Sequence, residues 1–352
     1  MTANRIAAME PRPMFQGMPI AEKLDLLAAE RIPLYRQLAK FSLDAALPPR
    51  EIAAGIKRLI KAPRSANRPI PAKAIAGLPE NGNINSMYDD ELVKFARDGA
   101  LPLPASQESG WVAQAGARIW YATFGAGPAV ILLHGGLGNA GNWGYQVPAL
   151  VTAGYRAILI DSRGHGRSSR DTRPYSYEIL ASDVLAVLDR LELADAWLAG
   201  WSDGACTALV LAARAPQRVR GVFYFACNMD PSGVRTDIEY GSRIQNCLAR
   251  HKLDYANLSA TPAAFPDFFE AVGLMQRTQP NFSAADLGAI RVPVTIAQSQ
   301  QDEFIKLEHA QYLAESIPGA HFVLLPGVSH FAPLQRPEVF NQSLLAFLAG
   351  YP

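Results

Sequence analysis

From residue 106 onward the chain alternates short apolar runs with longer stretches of helical period. WVAQAG (111–116) and ARIWYATFG (117–125) read as two antiparallel strands. AVILLHG, RAILIDS, AWLAG, GVFYFAC, VPVTIAQS and HFVLLPG follow. They are continuous rather than alternating apolar runs, the pattern of strands covered on both faces. Helical stretches lie between them, clearest at 178–193 (EILASDVLAVLDRLEL) and 338–350 (EVFNQSLLAFLAG). Strands that alternate with helices predict an α/β fold, a mostly parallel sheet wrapped by helices. The span 229–290 breaks this rhythm. It is polar, contains proline and is helical only in patches, which predicts an inserted cap.

The first 105 residues follow a different pattern. Ile20, Leu24, Leu27, Ala28, Leu34, Tyr35, Leu38 and Phe41 recur at near-helical spacing over 20–46, with Pro33 as a break. Residues 49–61 form a second amphipathic stretch with Ile52, Ile56, Leu59 and Ile60 on one side. Pro63, Pro69 and Pro71 then make 62–86 a linker or wrapping arm. Two parts are expected: a helical N-terminal extension and linker over 1–105, and an α/β domain over 106–352 with its cap at about 229–290. The extension is a candidate surface for homo-oligomerisation.

Charge follows the same division. Residues 1–105 carry 15 basic and 11 acidic side chains, whereas 106–352 carry 18 and 21. Six cations fall between Lys57 and Lys73 with no acid among them. A solvated face is the default reading of such a run, and a patch for an anionic partner is the alternative. The whole chain of 352 residues has a net charge of only +1, which argues against a polybasic nucleic-acid binder. A hydrophobic share of 49% excludes a disordered chain. Cys206, Cys227 and Cys247 are too few for a disulfide framework or a paired metal-ligand spacing, so no metal is expected. The N-terminal segment lacks the apolar core of a signal peptide, and no apolar run is long enough to span a bilayer. The expectation is a soluble cytoplasmic protein without a membrane partner.

Candidate chemistry centres on AWLAGWSDGACTALVLA. Gly200-Trp201-Ser202-Asp203-Gly204 is a G-x-S-x-G pentapeptide between an apolar strand and an Ala-rich helix. That context marks a nucleophile elbow, with the Ser202 hydroxyl raised at a helix N-terminus. A serine hydroxyl needs a general base. Of six histidines, only His330 follows the last strand in a turn of small residues, PGVSHFAPLQRPE. His134 and His165 read as architectural, His321 as structural and His309 as a solvated helix residue. His251 lies in the cap and is a candidate for a pocket wall. The base needs a carboxylate to orient it. Asp302 follows strand VPVTIAQS, and Glu303 and Asp230 are the alternatives. For an oxyanion, the backbone N–H groups of Gly136 or Leu137, after strand AVILLHG, join that of Asp203. Asp161, Arg163 and Arg167 are expected to form a buried ion-pair network. Trp143, Asp203, Arg243 and Met275 are candidate substrate contacts. Tyr240, Phe265, Phe268, Phe269 and Leu274 offer further apolar surface in the cap.

HGGLGN, DSRGHGRSS, GWSDGA, QQDEF and GVSHFAPLQRPE together resemble the α/β-hydrolase superfamily over roughly residues 108–352. The resemblance implies an eight-stranded sheet with a cap after strand six and a Ser202-Asp302-His330 triad that needs no cofactor. It implies a small-molecule substrate: an ester, lactone, thioester, amide or C–C bond. Ala205 stands where many members carry a second glycine, and QSQQD where a glycine is common. A serine at 202 separates the chain from haloalkane dehalogenases and epoxide hydrolases, which use aspartate there. Trp-Ser-Asp-Gly is also similar to valacyclovir-hydrolase-like esterases, in which the acid after the nucleophile recognises a substrate amino group. Asp203 matches that acid; its other reading is an N–H donor and a charge at a helix start. The leading expectation is a serine hydrolase of small carboxylic esters or lactones. The alternatives are a C–C bond hydrolase of aromatic-degradation products, a haloperoxidase-like side activity, and a non-catalytic ligand-binding protein. LLAAERIPLYRQLA (26–39) is similar to the C-terminal helical region of shikimate kinases, a likeness covering about forty residues (20–61). The chain has no GxxxxGK[ST] phosphate loop, so no kinase activity is implied.

Overall fold

The computed structural model describes residues 91–351. The helices expected over 20–61, the 62–86 linker, the basic run and the kinase-like segment lie outside the described residues.

Eight strands form one sheet: β1 (Glu108–Gln114), β2 (Ala117–Phe124), β3 (Ala129–Leu133), β4 (Arg156–Ile160), β5 (Ala196–Trp201), β6 (Val219–Phe225), β7 (Val294–Gln301) and β8 (His321–Ser329). Their order across the sheet is β1-β2-β4-β3-β5-β6-β7-β8. β2 pairs antiparallel with β1 and β4, and every pair from β4 to β8 is parallel. The central register places Ile131 between Ile158 and Leu198.

The continuous apolar runs are explained by two cores, one on each face. Along β3, Ile131 and Leu133 enter one core, while Val130 and Leu132 enter the other. The first core is covered by helices Tyr177–Arg190 and Asp203–Arg214. The second is covered by Leu92–Asp98, Gln146–Thr152 and Pro337–Ala349. In chain order the helices are α1 (Leu92–Asp98), α2 (Gln146–Thr152), α3 (Tyr177–Arg190), α4 (Asp203–Arg214), α5 (Ser242–Leu258), α6 (Phe265–Thr278), α7 (Ala284–Gly288), α8 (Leu307–Ser316), α9 (Ala332–Gln335) and α10 (Pro337–Ala349). Edge strand β1 instead alternates half-buried and exposed positions, because only one of its faces is covered. Fully burying a Leu or Ile side chain contributes about 1.5–3 kcal/mol, so β3 and β5 anchor the sheet.

Between β6 and β7 the chain leaves the sheet and builds α5, α6 and α7. α6 returns to the body through Phe268, whose ring stands edge-on to His165 with centroids 4.7 Å apart. α1 has no counterpart in the strand–helix reading of the sequence. Its Phe95 packs on His251 of α5, with ring centroids 5.5 Å apart. No described helix is long and apolar enough to cross a membrane.

A parallel sheet delivers all its strand ends to one edge, which is where open α/β sheets place ligands. The exits of β3, β5, β7 and β8 carry the 134–143 loop, Ser202, Asp302 and His330.

Candidate active site

Ser202 sits between the last residue of β5 and the first of α4, at φ 54° and ψ −123°. A positive φ at a non-glycine residue costs on the order of 1–3 kcal/mol and persists only where its surroundings enforce it. Here the Ser202 N–H donates to the Phe225 carbonyl at 2.8 Å, and the Ser202 carbonyl accepts from Ala205 and Cys206 N–H. The flanking glycines follow from backbone approach. A Cβ on Gly204 would lie 2.0 Å from the Leu133 carbonyl oxygen, and one on Gly200 would lie 2.3 Å from that of Gly204. Strand β5, helix α4 and the end of β3 thus meet with no room for side chains, and the turn presents Ser202 half-buried.

His330 directly follows β8, and its imidazole is buried against Trp201, Phe304 and Phe331. Both oxygens of Asp302 lie 3.1 Å from its Nδ1. Asp302 in turn accepts the Ser299 hydroxyl (2.8 Å) and the N–H groups of Phe304 (2.9 Å) and Ile305 (2.8 Å). Burial by itself would raise the Asp302 carboxyl. The His330 charge and hydrogen bond, with the Ile305 and Phe304 N–H groups, outweigh it and hold the group below the usual carboxylate range. For His330 burial acts downward, but Asp302 first, then Glu303 and Asp203, raise it above the ordinary histidine value. A carboxylate fixed on Nδ1 leaves Nε2 as the nitrogen that can exchange a proton with a substrate or nucleophile. Of the three carboxylates the sequence left in competition, Asp302 is the one set on the ring. Glu303 accepts the His330 backbone N–H at 2.9 Å, and Asp230 caps a short turn by accepting Ser232 N–H.

The loop after β3 is tied down from below. His134 Nδ1 donates to the Gly135 carbonyl (2.8 Å), and its Nε2 accepts Ser162 N–H (3.0 Å), which defines a neutral, architectural imidazole. Burial lowers its basicity, in keeping with that neutral state. Asp161 accepts Ala140 N–H (2.7 Å), Arg167 N–H (2.8 Å) and the Arg167 guanidinium (2.9 Å), joining this loop to the 161–170 loop. Leu137 adopts φ 63°. The N–H groups of Gly136 and Leu137 have no acceptor among the described residues, and that of Asp203 lies in the first turn of α4, where a helix supplies none of its own. A Cβ on Gly136 would lie 2.6 Å from Asp203 Oδ2, so the two candidate donor segments are adjacent.

Asp203 is buried, and its oxygens accept from Tyr177 Oη (2.9 Å) and Gln276 Nε2 of α6 (3.0 Å). Burial raises its carboxyl, against the pull of these two bonds and of His330. Tyr177 and Gln276 were not singled out from the sequence. Tyr177 opens an ordinary Ser-capped helix, and Gln276 is one polar residue on an amphipathic one, so neither carries a local signal.

Several expected contacts have other partners. Trp143 is fully buried in a core, between Trp201 and Phe340, instead of lining an open wall. Met275 is buried in the opposite core. Arg243 is ion-paired with Glu303 at 3.0 Å. His309 is not solvated: it is 6% exposed, and its Nε2 accepts Met229 N–H at 3.1 Å. Arg163 does not pair with Asp161; it holds Asp183 through two bonds of 2.9 and 2.5 Å. His251 and His165 are buried and lowered to about 4 and about 3, mainly by desolvation, so both are neutral near pH 7.

Comparison with known proteins agrees with this architecture. A family profile described as alpha/beta hydrolase fold matches residues 128–232. RutD of Azorhizobium caulinodans, a protein named for carbamate hydrolysis, is 31% identical over 252 residues, 66% of this chain and 95% of that protein. The 2-hydroxy-6-oxo-6-phenylhexa-2,4-dienoate hydrolase of Burkholderia cepacia is 26% identical over 66% of this chain and 92% of its own length. Among solved structures, Est816, described as an N-acyl homoserine lactone degrading enzyme, superposes with a TM-score of 0.55 at 28% identity, covering 68% of this chain and all of that one. With eight strands in this order and a relative matched along nearly its whole length, the chain belongs to the α/β-hydrolase family and is a hydrolase of that fold.

Proposed function

We propose that the chain hydrolyses a small carboxylic ester or lactone through an acyl-enzyme on Ser202. His330 takes the Ser202 proton and returns it to the leaving oxygen, then activates the water that releases the acid. Asp302 keeps the proton on Nδ1, so that Nε2 is the accepting nitrogen. The N–H groups of Gly136 or Leu137 and of Asp203 receive the developing oxyanion. The observation that carries this reading is the Asp302–His330 contact at the same sheet edge as the Ser202 elbow. No step requires a metal or organic cofactor.

The polar surroundings of Asp203 bear on the amino-ester alternative. Both its oxygens already accept neutral donors, which favours a supporting role for this side chain over capture of a substrate ammonium. A C–C bond substrate is the second reading, favoured by the likeness to the Burkholderia cepacia hydrolase along 92% of that protein. Rapid mixing with p-nitrophenyl acetate is expected to give a burst of about one p-nitrophenol per chain before the steady state, the mark of an accumulating acyl-enzyme. A panel of short esters, lactones and a vinylogous diketone then separates the readings. Turnover of the diketone alone, with neither burst nor ester hydrolysis, overturns the ester reading.

A further inference from the structure

The helical insertion reaches the β7 exit through an ion pair. Arg243, in the first turn of α5, donates Nη1 to Glu303 Oε1 at 3.0 Å. The other oxygen of Glu303 accepts the backbone N–H of His330 at 2.9 Å. Glu303 is therefore tied at one end to α5 and at the other to the residue that carries the imidazole. It also directly follows Asp302, whose carboxylate holds the ring itself. The Glu303 side chain is 16% exposed and that of Arg243 34%, so the pair is partly withdrawn from solvent.

A neutral acceptor could also take a backbone N–H, though more weakly. A glutamate there adds a negative charge beside the imidazole. The charged groups acting on His330 are Asp302 and Glu303 from the β7 exit and Asp203 from α4, and Arg243 of α5 touches Glu303. Arg235 also approaches, with Nη1 3.4 Å from the Asp302 carbonyl. Three carboxylates favour the protonated ring, and Arg243 offsets the one it touches.

We propose that Glu303 and Arg243 are positioning residues for His330: Glu303 anchors its backbone, and Arg243 anchors Glu303 to α5 and offsets its charge beside the ring. This rests on His330 being the base of the hydrolytic reaction proposed above. It assigns Arg243 to the site's own architecture and removes it from the direct substrate contacts. It also makes α5 part of what aligns the base.

The test is the pH profile of kcat/KM for p-nitrophenyl acetate with Glu303→Gln, Arg243→Met and the double variant. The acid limb of that profile reports the base of the free enzyme. Removing the negative charge in Glu303→Gln makes the ring less basic and moves the limb to lower pH. Removing the positive charge in Arg243→Met leaves Glu303 uncompensated and moves the limb to higher pH. Shifts of about half a unit each are expected for a partly exposed pair, with the double variant between them. Glu303→Gln keeps an amide oxygen for the His330 N–H, so its kcat should stay within about threefold; Glu303→Ala, which leaves that N–H without an acceptor, should lose about tenfold in kcat at unchanged KM. If Glu303→Ala does not fold, the opposed shifts of the other two variants still decide. Shifts in the same direction, or none, in an active and folded enzyme overturn the proposal. Absence of hydrolysis in the wild type defeats the underlying reading instead, so the two failures are distinct.

Discussion

Ser202→Ala is expected to lower kcat for short p-nitrophenyl esters by about 10⁴- to 10⁶-fold, as removal of a serine nucleophile does in other hydrolases. Alanine keeps the Cβ that the elbow already accommodates, and φ 54° is enforced by backbone bonds to Phe225, Ala205 and Cys206 that the substitution leaves intact. The fold should therefore be unchanged, with thermal midpoints within a few degrees. What disappears is the atom proposed to attack. The remaining rate should come from the N–H donors at Gly136, Leu137 and Asp203, which polarise a bound carbonyl for direct attack by water. Steady-state kinetics, with a circular-dichroism melt as the folding control, measure this. A variant that keeps a tenth of the wild-type kcat would place the nucleophile elsewhere.

Asp302→Asn carries the second largest expected effect, about 10⁴-fold in kcat. The side chain is nearly isosteric and its environment is donor-rich: Ser299 Oγ and the Phe304 and Ile305 N–H groups all point at it. An amide there must aim its NH2 at the imidazole, because its single oxygen goes to the backbone donors. That NH2 pairs with an unprotonated Nδ1 and drives the proton onto Nε2. The nitrogen required to accept the Ser202 proton is then already occupied. The same change removes the largest influence raising His330, so the surviving acid limb should move to lower pH. The pH profile separates this from simple loss of packing, which would reduce the rate and leave the limb in place. An Asp302→Asn enzyme within tenfold of wild type would show that another carboxylate orients the ring.

Much of the fold was legible because the signals were local. Continuous apolar runs such as AVILL and AWLAGW, short and set between helical stretches, fit strands covered on both sides, and the structure buries every residue of β3 and β5. The elbow was legible because two backbone approaches of about 2 Å to a would-be Cβ leave glycine as the residue type at 200 and 204. The placement of His330 directly after the final strand was legible as well. Contacts made through side chains from distant segments were not. His309 looked solvated because its helix is polar, yet its partner is a backbone N–H eighty residues away in sequence. Arg243 looked free for a substrate because its partner lies sixty residues downstream. Trp143 looked like a pocket wall from its closeness to HGGLGN, but a short turn capped by Asn139 rotates it into the core beneath that loop. Strand periodicity is blind to such partners, since it records which face is apolar and not what meets it.

The most direct measurement is mass-spectrometric mapping of the adduct formed with a fluorophosphonate, which phosphonylates an activated serine and releases fluoride. Wild-type protein is expected to gain one adduct, on the peptide carrying Ser202, while Ser202→Ala gains none and Asp302→Asn gains it far more slowly. Stoichiometric labelling of a different residue, or equal labelling of Ser202→Ala, would contradict the assignment of Ser202 as the nucleophile.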